Sequence, residues 1–427
     1  MFICIKIPGK KPISSRFFAT LCTSLLVLTW ASRSLAQERA PRLLSDDEVI
    51  HLVHEREDRA SMRGARVREI EANARIIGAL PNPGFSYTRE QILTASQRTG
   101  EDYFVLNQTF PISGRAKLEK NALEKGAMAE RLRIEQELRE DVVRARHYFY
   151  QLLLLQSRVE ARESWLVDIS KLEQTIQLRI EVGESAPYEL ERLKREVADV
   201  RLDLELERTK ISHLQMLLAN ELGLTGANAI TARGTLLPSS PPTEQDILTA
   251  LEQHPELRAA RTEAEAARIE QGAAERWWIP EPTVSAGYKG SGSSSGRAHG
   301  FVVGLGMAFP LFNRSAGERL AAEAREVHAT NQEQIQAKDL RARALALSSQ
   351  LSTTLAHAER YEEEGIGNAQ KVLDLANIAY KSGEIGIIEL LDAYQGVAQA
   401  KLRLLELSSS ARTLQIQLHQ YLGGKAQ

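Results

Sequence analysis

The segment SGEIGIIELLDA, Ser382–Ala393, interrupts a proline-free run from Leu311 to Gln427 that otherwise reads mostly as helix. Glycine accepts the left-handed backbone conformation cheaply, so Ser382-Gly383-Glu384 reads as the tip of a helical hairpin. Two hundred residues earlier VGESAPYELERL, Val182–Leu193, has the same form. Working outward, Pro81-Asn82-Pro83 matches Pro280-Glu281-Pro282 and FPISGR (110–115) matches FPLFNR (309–314). Gly183-Glu184 matches Gly383-Glu384, and Leu222-Gly223 matches Leu422-Gly423. Four landmarks in one order, at offsets of 199 or 200, indicate a tandem duplication. The division expected is a leader over 1–36, a first repeat over 37–237, a Pro/Ser linker over 238–243 and a second repeat over 244–427.

Each half reads helix, strand, strand, long helix, turn, helix. The first helix is expected over roughly Ser45–Leu80, opened by SDDE as an N-cap and acidic first turn. Its counterpart covers roughly Thr243–Ile279, with Pro255 at the first position of a restarted helix. The next helix has no proline between Pro111 and Pro187. Leu118, Ala122, Ala129, Leu132, Leu138, Val142, Ala145, Phe149 and Leu152 recur mostly at spacings of three, four and seven, an apolar stripe at helical period. At ~1.5 Å per residue a helix of about 65 residues is a rod of roughly 100 Å. Such a rod needs a coiled-coil partner, which the chain supplies by folding back at Gly183 through Tyr188–Leu222.

The N-terminus has the pattern of a secretory leader. Lys6, Lys10, Lys11 and Arg16 precede an apolar stretch, Phe17–Trp30, and Ser34-Leu35-Ala36 is a small-x-small cleavage site, placing the cut between Ala36 and Gln37. Both cysteines, Cys4 and Cys22, fall in this segment, and Cys22 has no lipobox around it. The mature chain is therefore expected to carry no lipid anchor, disulfide, thiolate metal site or cysteine nucleophile. Removing the leader takes five Lys/Arg and no Asp/Glu from totals of 54 and 56, leaving a net charge of −7, which argues against nucleic acid as a partner. No later run of 18 apolar residues could span a membrane as a helix. Abundant Ala, Leu, Glu and Arg suit long packed helices better than an enzyme core.

The strands decide the class. Phe301, Val303, Leu305, Met307 and Phe309 alternate with Val302, Gly304, Gly306 and Ala308, giving one large apolar face and one small face. Strands are expected at 84–93, 102–111, 282–291 and 299–310, in β-hairpins 84–111 and 282–310. Strands of this length and pattern fit a transmembrane β-barrel, and equally a soluble hairpin packed on helices. The leader and the lack of apolar helices favour the barrel. Four strands cannot close around a lumen, and open edges are not tolerated in lipid, so several chains would have to share one barrel.

In these features the chain resembles the TolC-type outer membrane efflux proteins, over essentially its whole mature length. The resemblance rests on the duplicated order, LPNP (80–83) closing the first helix, FPISGR before the long helix, and RIEVGE (179–184) and AYKSGE (379–384) before the tips. The wording of LPNP and NQTFPISGR is most similar to the branch that serves heavy-metal cation pumps. It implies a mainly α protein with a small β part. Three copies would share a 12-stranded barrel in the outer membrane that continues into a helical barrel crossing the periplasm. It also implies a passive exit duct that docks a periplasmic adaptor and an inner-membrane pump. A soluble periplasmic coiled-coil scaffold or adaptor is the alternative class.

No nucleophile elbow, phosphate loop or HExxH occurs, and neither an enzyme nor a cofactor is expected. His51, His54 and Glu55 share a helix face and could touch a metal, but a solvated face is the simpler reading. Trp277-Trp278 could anchor at a membrane interface or pack where two barrels meet. Glu389 and Asp392, three apart on the returning helix, share a face, and their first-half equivalents are Glu189 and Arg192. The resemblance implies that Glu389 and Asp392 ring the periplasmic entrance and that Tyr380 helps to hold it shut. Arg192, unmatched because its second-half equivalent is the acid Asp392, is the other candidate for closure. The adjoining tips, Gly183-Glu184 and Gly383-Glu384, are where an adaptor would grip.

Overall fold

A computed structural model describes residues 42–93, 98–224, 230–238, 240–293 and 296–422. The leader, the Ala36–Gln37 junction, both cysteines and Ser239 of the linker lie outside the described residues. Ser45 opens α1 (Asp46–His54) with a capping box, its hydroxyl accepting from the Glu48 amide while its own amide donates to Glu48 Oε2 at 2.7 Å. Thr243 and Asp246 repeat the device at the head of α5 (Glu244–Glu252). The helix expected over 45–80 is two helices, because the chain breaks at Glu55–Arg56 before α2 (Glu57–Gly78). No proline makes this break. Arg56 instead reaches across to donate to the backbone carbonyls of Asn220 and Glu221, each at 2.7 Å. In the second half Pro255 does lie at the first position of α6 (Pro255–Ala274).

The first long helix, α3, runs unbroken from Arg115 to Glu181 and returns as α4 (Pro187–Glu221). Of its anticipated stripe, Ala129, Ala145, Phe149 and Leu152 are buried and the others half-buried. The second hairpin differs. It comprises α7 (Ala316–Arg360), a π-helical turn at Tyr361–Ile366, α8 (Gly367–Ser382) and α9 (Ile387–Leu422). The π turn was not legible as helical periodicity. The Tyr361 ring lies over Gly365, where an added Cβ would sit 2.8 Å from it, so glycine is what lets the turn close up.

The helices form one layer in two tiers. Beside the sheet the order is α2, α3, α6, α7; towards the tips it is α4, α3, α9, α8. Three apolar cores hold the layer. One, around Phe149, Leu152, Leu218 and Ile416, also covers a short parallel pair, β1 (Arg42–Leu44) with β4 (Ile230–Ala232), that the sequence reading lacked. A second lies near the tips around Trp165, Ile169, Leu193 and Leu390, and a third around Ile247, Leu340 and Leu418. Buried ion pairs cross the layer where α1 gives way to α2. Asp141 of α3 meets Arg59, Arg63 and Arg144, and Glu221 meets Arg59 at 2.7 Å. Burial alone would raise the Asp141 carboxyl, but hydrogen bonds from Arg63 and Arg59 hold it below its ordinary value.

One antiparallel sheet of order β2–β3–β5–β6 caps the layer, built from β2 (Gly84–Leu93), β3 (Arg98–Thr109), β5 (Thr283–Ser293) and β6 (Gly296–Gly306). β2 has the expected bounds, and the other three strands differ from theirs by up to four residues. The last stops at Gly306 rather than 310, because Phe309-Pro310-Leu311 closes a tight turn, the Leu311 amide donating to the Phe309 carbonyl at 2.9 Å. Within one chain the sheet stays open at β2 and at β6.

Candidate functional site

Register makes the two faces of the sheet chemically different. On one face Phe85, Leu106, Ala286 and Val303 stand in a row across all four strands, and Tyr87, Phe104, Tyr288 and Phe301 form the next. Phe104 lies 5.0 Å from Tyr87 and 6.4 Å from Tyr288, ring centre to ring centre. The other face carries Ser86, Val105, Gly287 and Val302, then Thr88, Tyr103, Lys289 and Gly300. Lys289 pairs there with Glu101 at 2.8 Å. A Cβ at Gly287 would come within 2.3 Å of the Phe104 carbonyl oxygen, so this position must be glycine. Below the sheet, α3 and α7 flank α6 and leave a groove of about 1000 Å³, floored by alanines and edged by Arg115, Glu119, Glu318 and Arg325. Small and polar groups thus line the sheet and the groove, while large apolar side chains stand exposed on the opposite sheet face.

At the far end the two tips are geometric copies. Gly183 and Gly383 have φ of 81° and 78°, in the left-handed region. Glu184 donates its amide to the Arg179 carbonyl at 2.8 Å, and Glu384 to that of Ala379 at 2.9 Å, the six-to-one bond of a Schellman turn. No atom lies within 4 Å of a Cβ added at either glycine, so substitution there meets only backbone strain. Gly383→Ala is expected to destabilise the tip by about 1–2 kcal/mol. Gly383→Asn should be milder, since Asn tolerates this conformation. Limited trypsinolysis after Lys381 should rank the variants Ala fastest, then Asn, then the parent; equal rates for all three would show that the turn does not limit local opening.

The predicted gate residues are brought together only in part. Arg192 of α4 reaches Asp392 of α9 at 3.5 Å, a long and exposed pair. Glu389 is exposed and forms no ion pair among the described residues, and Glu189 is half-buried. Tyr380 of α8 accepts from Arg179 of α3 at 3.0 Å, with the guanidinium 5.0 Å from the ring centre. Both links join helices that are not neighbours in the layer, and both tie the first hairpin to the second. Arg179 was missed as a site residue, although it opens the RIEVGE motif. Glu184 lies 3.9 Å from Arg179 and is exposed, as is Glu384.

His51 pairs with Glu55 at 3.4 Å on an exposed face, and among the described residues no three His, Cys, Asp or Glu side chains converge as a metal site. Trp277 packs beneath Arg319 at 5.3 Å, whereas Trp278 is exposed. Among the described residues no helix is long and apolar enough to cross a membrane.

A family model described as outer membrane efflux protein matches residues 247–424. The match lies within the second half of the chain. It is 24% identical over 259 residues to the cobalt-zinc-cadmium resistance protein CzcC of Cupriavidus metallidurans, covering 60% of this chain and 61% of that protein. It is 26% identical over 294 residues to SilC of Salmonella typhimurium, a probable outer membrane lipoprotein, covering 65% and 62%. The match thus spans about three fifths of the length of these relatives. Among solved structures, the fold superposes on the outer membrane protein VceC of Vibrio cholerae with a TM-score of 0.75 at 20% identity, covering 89% of this chain and 96% of that one.

Proposed function

We propose that the protein is the outer membrane exit duct of a tripartite efflux system, conducting passively and drawing its energy from an inner-membrane pump through a periplasmic adaptor. The observation that carries the reading is a sheet with one apolar face and two open strand edges. Such edges are tolerable in lipid only when closed by further strands. The helical layer is open along the same two sides. α2 and α4 form one edge, exposing Met62, Ile76, Leu202 and Leu206; α7 and α8 form the other, exposing Leu320, Val327, Val372, Leu375 and Ile378. Two unlike edges on one molecule join head to tail, and a closing rotation makes a ring. Two copies would give eight strands, whose interior side chains fill; three copies give twelve strands and leave a channel. The small polar sheet face and the charged groove then line one continuous conduit.

The cargo reading follows the relatives: CzcC is named for resistance to cobalt, zinc and cadmium, and heavy-metal cations are the substrates proposed here. The protein should need detergent for extraction, run as an SDS-resistant oligomer that falls to monomer mobility on boiling, and conduct ions in planar bilayers. Its deletion should sensitise the host to divalent heavy-metal ions. A monomer recovered in aqueous buffer would instead mark a soluble scaffold or adaptor.

A further inference from the structure

We infer that the membrane reaches past the strands and covers the two turns that lead into the long helices, so that Phe110, Ile112, Phe309, Leu311 and Phe312 form an apolar collar in the inner leaflet. The inference rests on the membrane reading above and adds where its periplasmic boundary falls.

Height is the first argument. On β6 the exposed apolar row ends at Phe301 on one side and Leu305 on the other, a span of four residues. At ~3.4 Å per residue and a tilt near 40°, that is only ~10 Å along the membrane normal, against an apolar belt ~25 Å tall in such barrels. Extending the face to Phe309 adds up to as much again where the chain past Gly306 stays extended, an upper bound of ~21 Å. On β6, a lipid contact that ended at Gly306 would leave more than half of the hydrocarbon layer facing backbone and polar side chains.

The second argument is the construction of the turns. Phe110-Pro111-Ile112 and Phe309-Pro310-Leu311 close the same three-residue turn, the third amide donating to the first carbonyl at 2.9 Å in both. Proline at the centre presets the dihedral that this turn needs. The first turn is also pinned on its polar side: Ser113 Oγ donates to Glu281 at 2.9 Å, and Arg276 donates to the Ser113 carbonyl at 3.0 Å. The pinned first turn nonetheless leaves Ile112 65% exposed, and the second leaves Phe309 66% and Phe312 98% exposed. Holding large apolar groups in water by design is costly, at roughly 25 cal/mol per Å².

Position separates lipid from a neighbouring copy as the cover. β6 is an edge strand, so a second copy could shield Phe309 and Phe312. β3 is paired on both sides, by β2 and β5, so a copy joined at either sheet edge does not reach the turn that follows it. Phe110 and Ile112 are exposed there all the same.

Tryptophan reporters test this in the full oligomer, with Trp277 and Trp278 replaced by Phe; the emission of Trp165, buried in the tip half of α3, is measured in that Phe parent and subtracted as constant background. Ile112→Trp and Leu311→Trp report on the collar, and Val303→Trp on the strand band. The protein is reconstituted in phosphatidylcholine vesicles brominated near the headgroup or near the chain ends. The collar reporters should lose as much emission as Val303→Trp, with the headgroup-proximal bromines the stronger quenchers. If Val303→Trp is quenched while both collar reporters respond only to aqueous acrylamide, the collar is wrong and the membrane reading stands. Collar reporters shielded from both lipid and acrylamide would mean that another protein surface covers them, which equally overturns it. If Val303→Trp is not quenched either, the membrane reading itself fails.

Discussion

Val303→Arg is expected to abolish oligomer assembly, while Gly304→Asp, one residue along, is expected to leave it intact. Val303 stands in the apolar row with Phe85, Leu106 and Ala286, on the face proposed to meet lipid. A cation there lies inside the apolar belt, where the cost rises to roughly 2–4 kcal/mol per copy at the midplane and is smaller towards either interface, and three copies carry the penalty together. Gly304 points to the small polar face. A Cβ there meets Ser285 no closer than 3.6 Å, an ordinary contact, so an added carboxylate enters the proposed lumen without steric conflict. The readouts are the heat-modifiable oligomer band and the yield in the outer membrane fraction. Equal tolerance of both substitutions would mean that the sheet does not meet lipid, and the duct would lose its foundation.

What the sequence made legible was local backbone chemistry. Gly183 and Gly383 marked the hairpin tips because left-handed turns select glycine, and Pro255 marked a helix start because proline suits the first position. The alternation along Phe301–Leu305 separated the two faces of β6 because side chains in a strand point alternately to either side. What stayed hidden depends on distant partners. The break before α2 is held by Arg56 on carbonyls more than 160 residues away. The β1–β4 pair joins three-residue strands from opposite ends of the first half, too short to show a period. The π turn needs Tyr361 to rest on Gly365, a contact that leaves the surrounding residue types looking like ordinary helix. At the tip, Glu389 and Asp392 could be placed on one face by spacing, but the cation beside Asp392 comes from the other hairpin.

That cation changes the expected behaviour of the entrance. Three copies of Glu389 and Asp392 would bring six carboxylates around one axis, but Arg192 stands 3.5 Å from each Asp392 within its own chain and offsets part of that charge. Glu389 forms no such pair, so it should dominate the attraction for cations. Crowded like charges repel, so the carboxylates cannot be what keeps the entrance narrow. The cross-hairpin links can: Arg179 to Tyr380 and Arg192 to Asp392 both hold the second hairpin against the first. Each is partly exposed and worth about 1 kcal/mol or less, so a narrow resting state held this way would open under modest force, as the proposed adaptor-driven duct requires. Glu389→Ala with Asp392→Ala should therefore reduce cation selectivity and block by multivalent cations in planar bilayers, leaving the oligomer intact, with Glu389→Ala alone producing most of the change. Tyr380→Ala with Arg192→Ala, which removes both the hydroxyl and the ring that Arg179 rests on, should raise single-channel conductance; because Asp392 is then unscreened, it should also sharpen cation selectivity rather than weaken it. If the carboxylate variant keeps the parent's selectivity and block, the constriction lies elsewhere along the conduit and these acids are only a solvated face. If conductance is unmoved by the loss of both links, the hairpins are held by their shared apolar core around Ile169, Leu193 and Leu390, and opening must begin there.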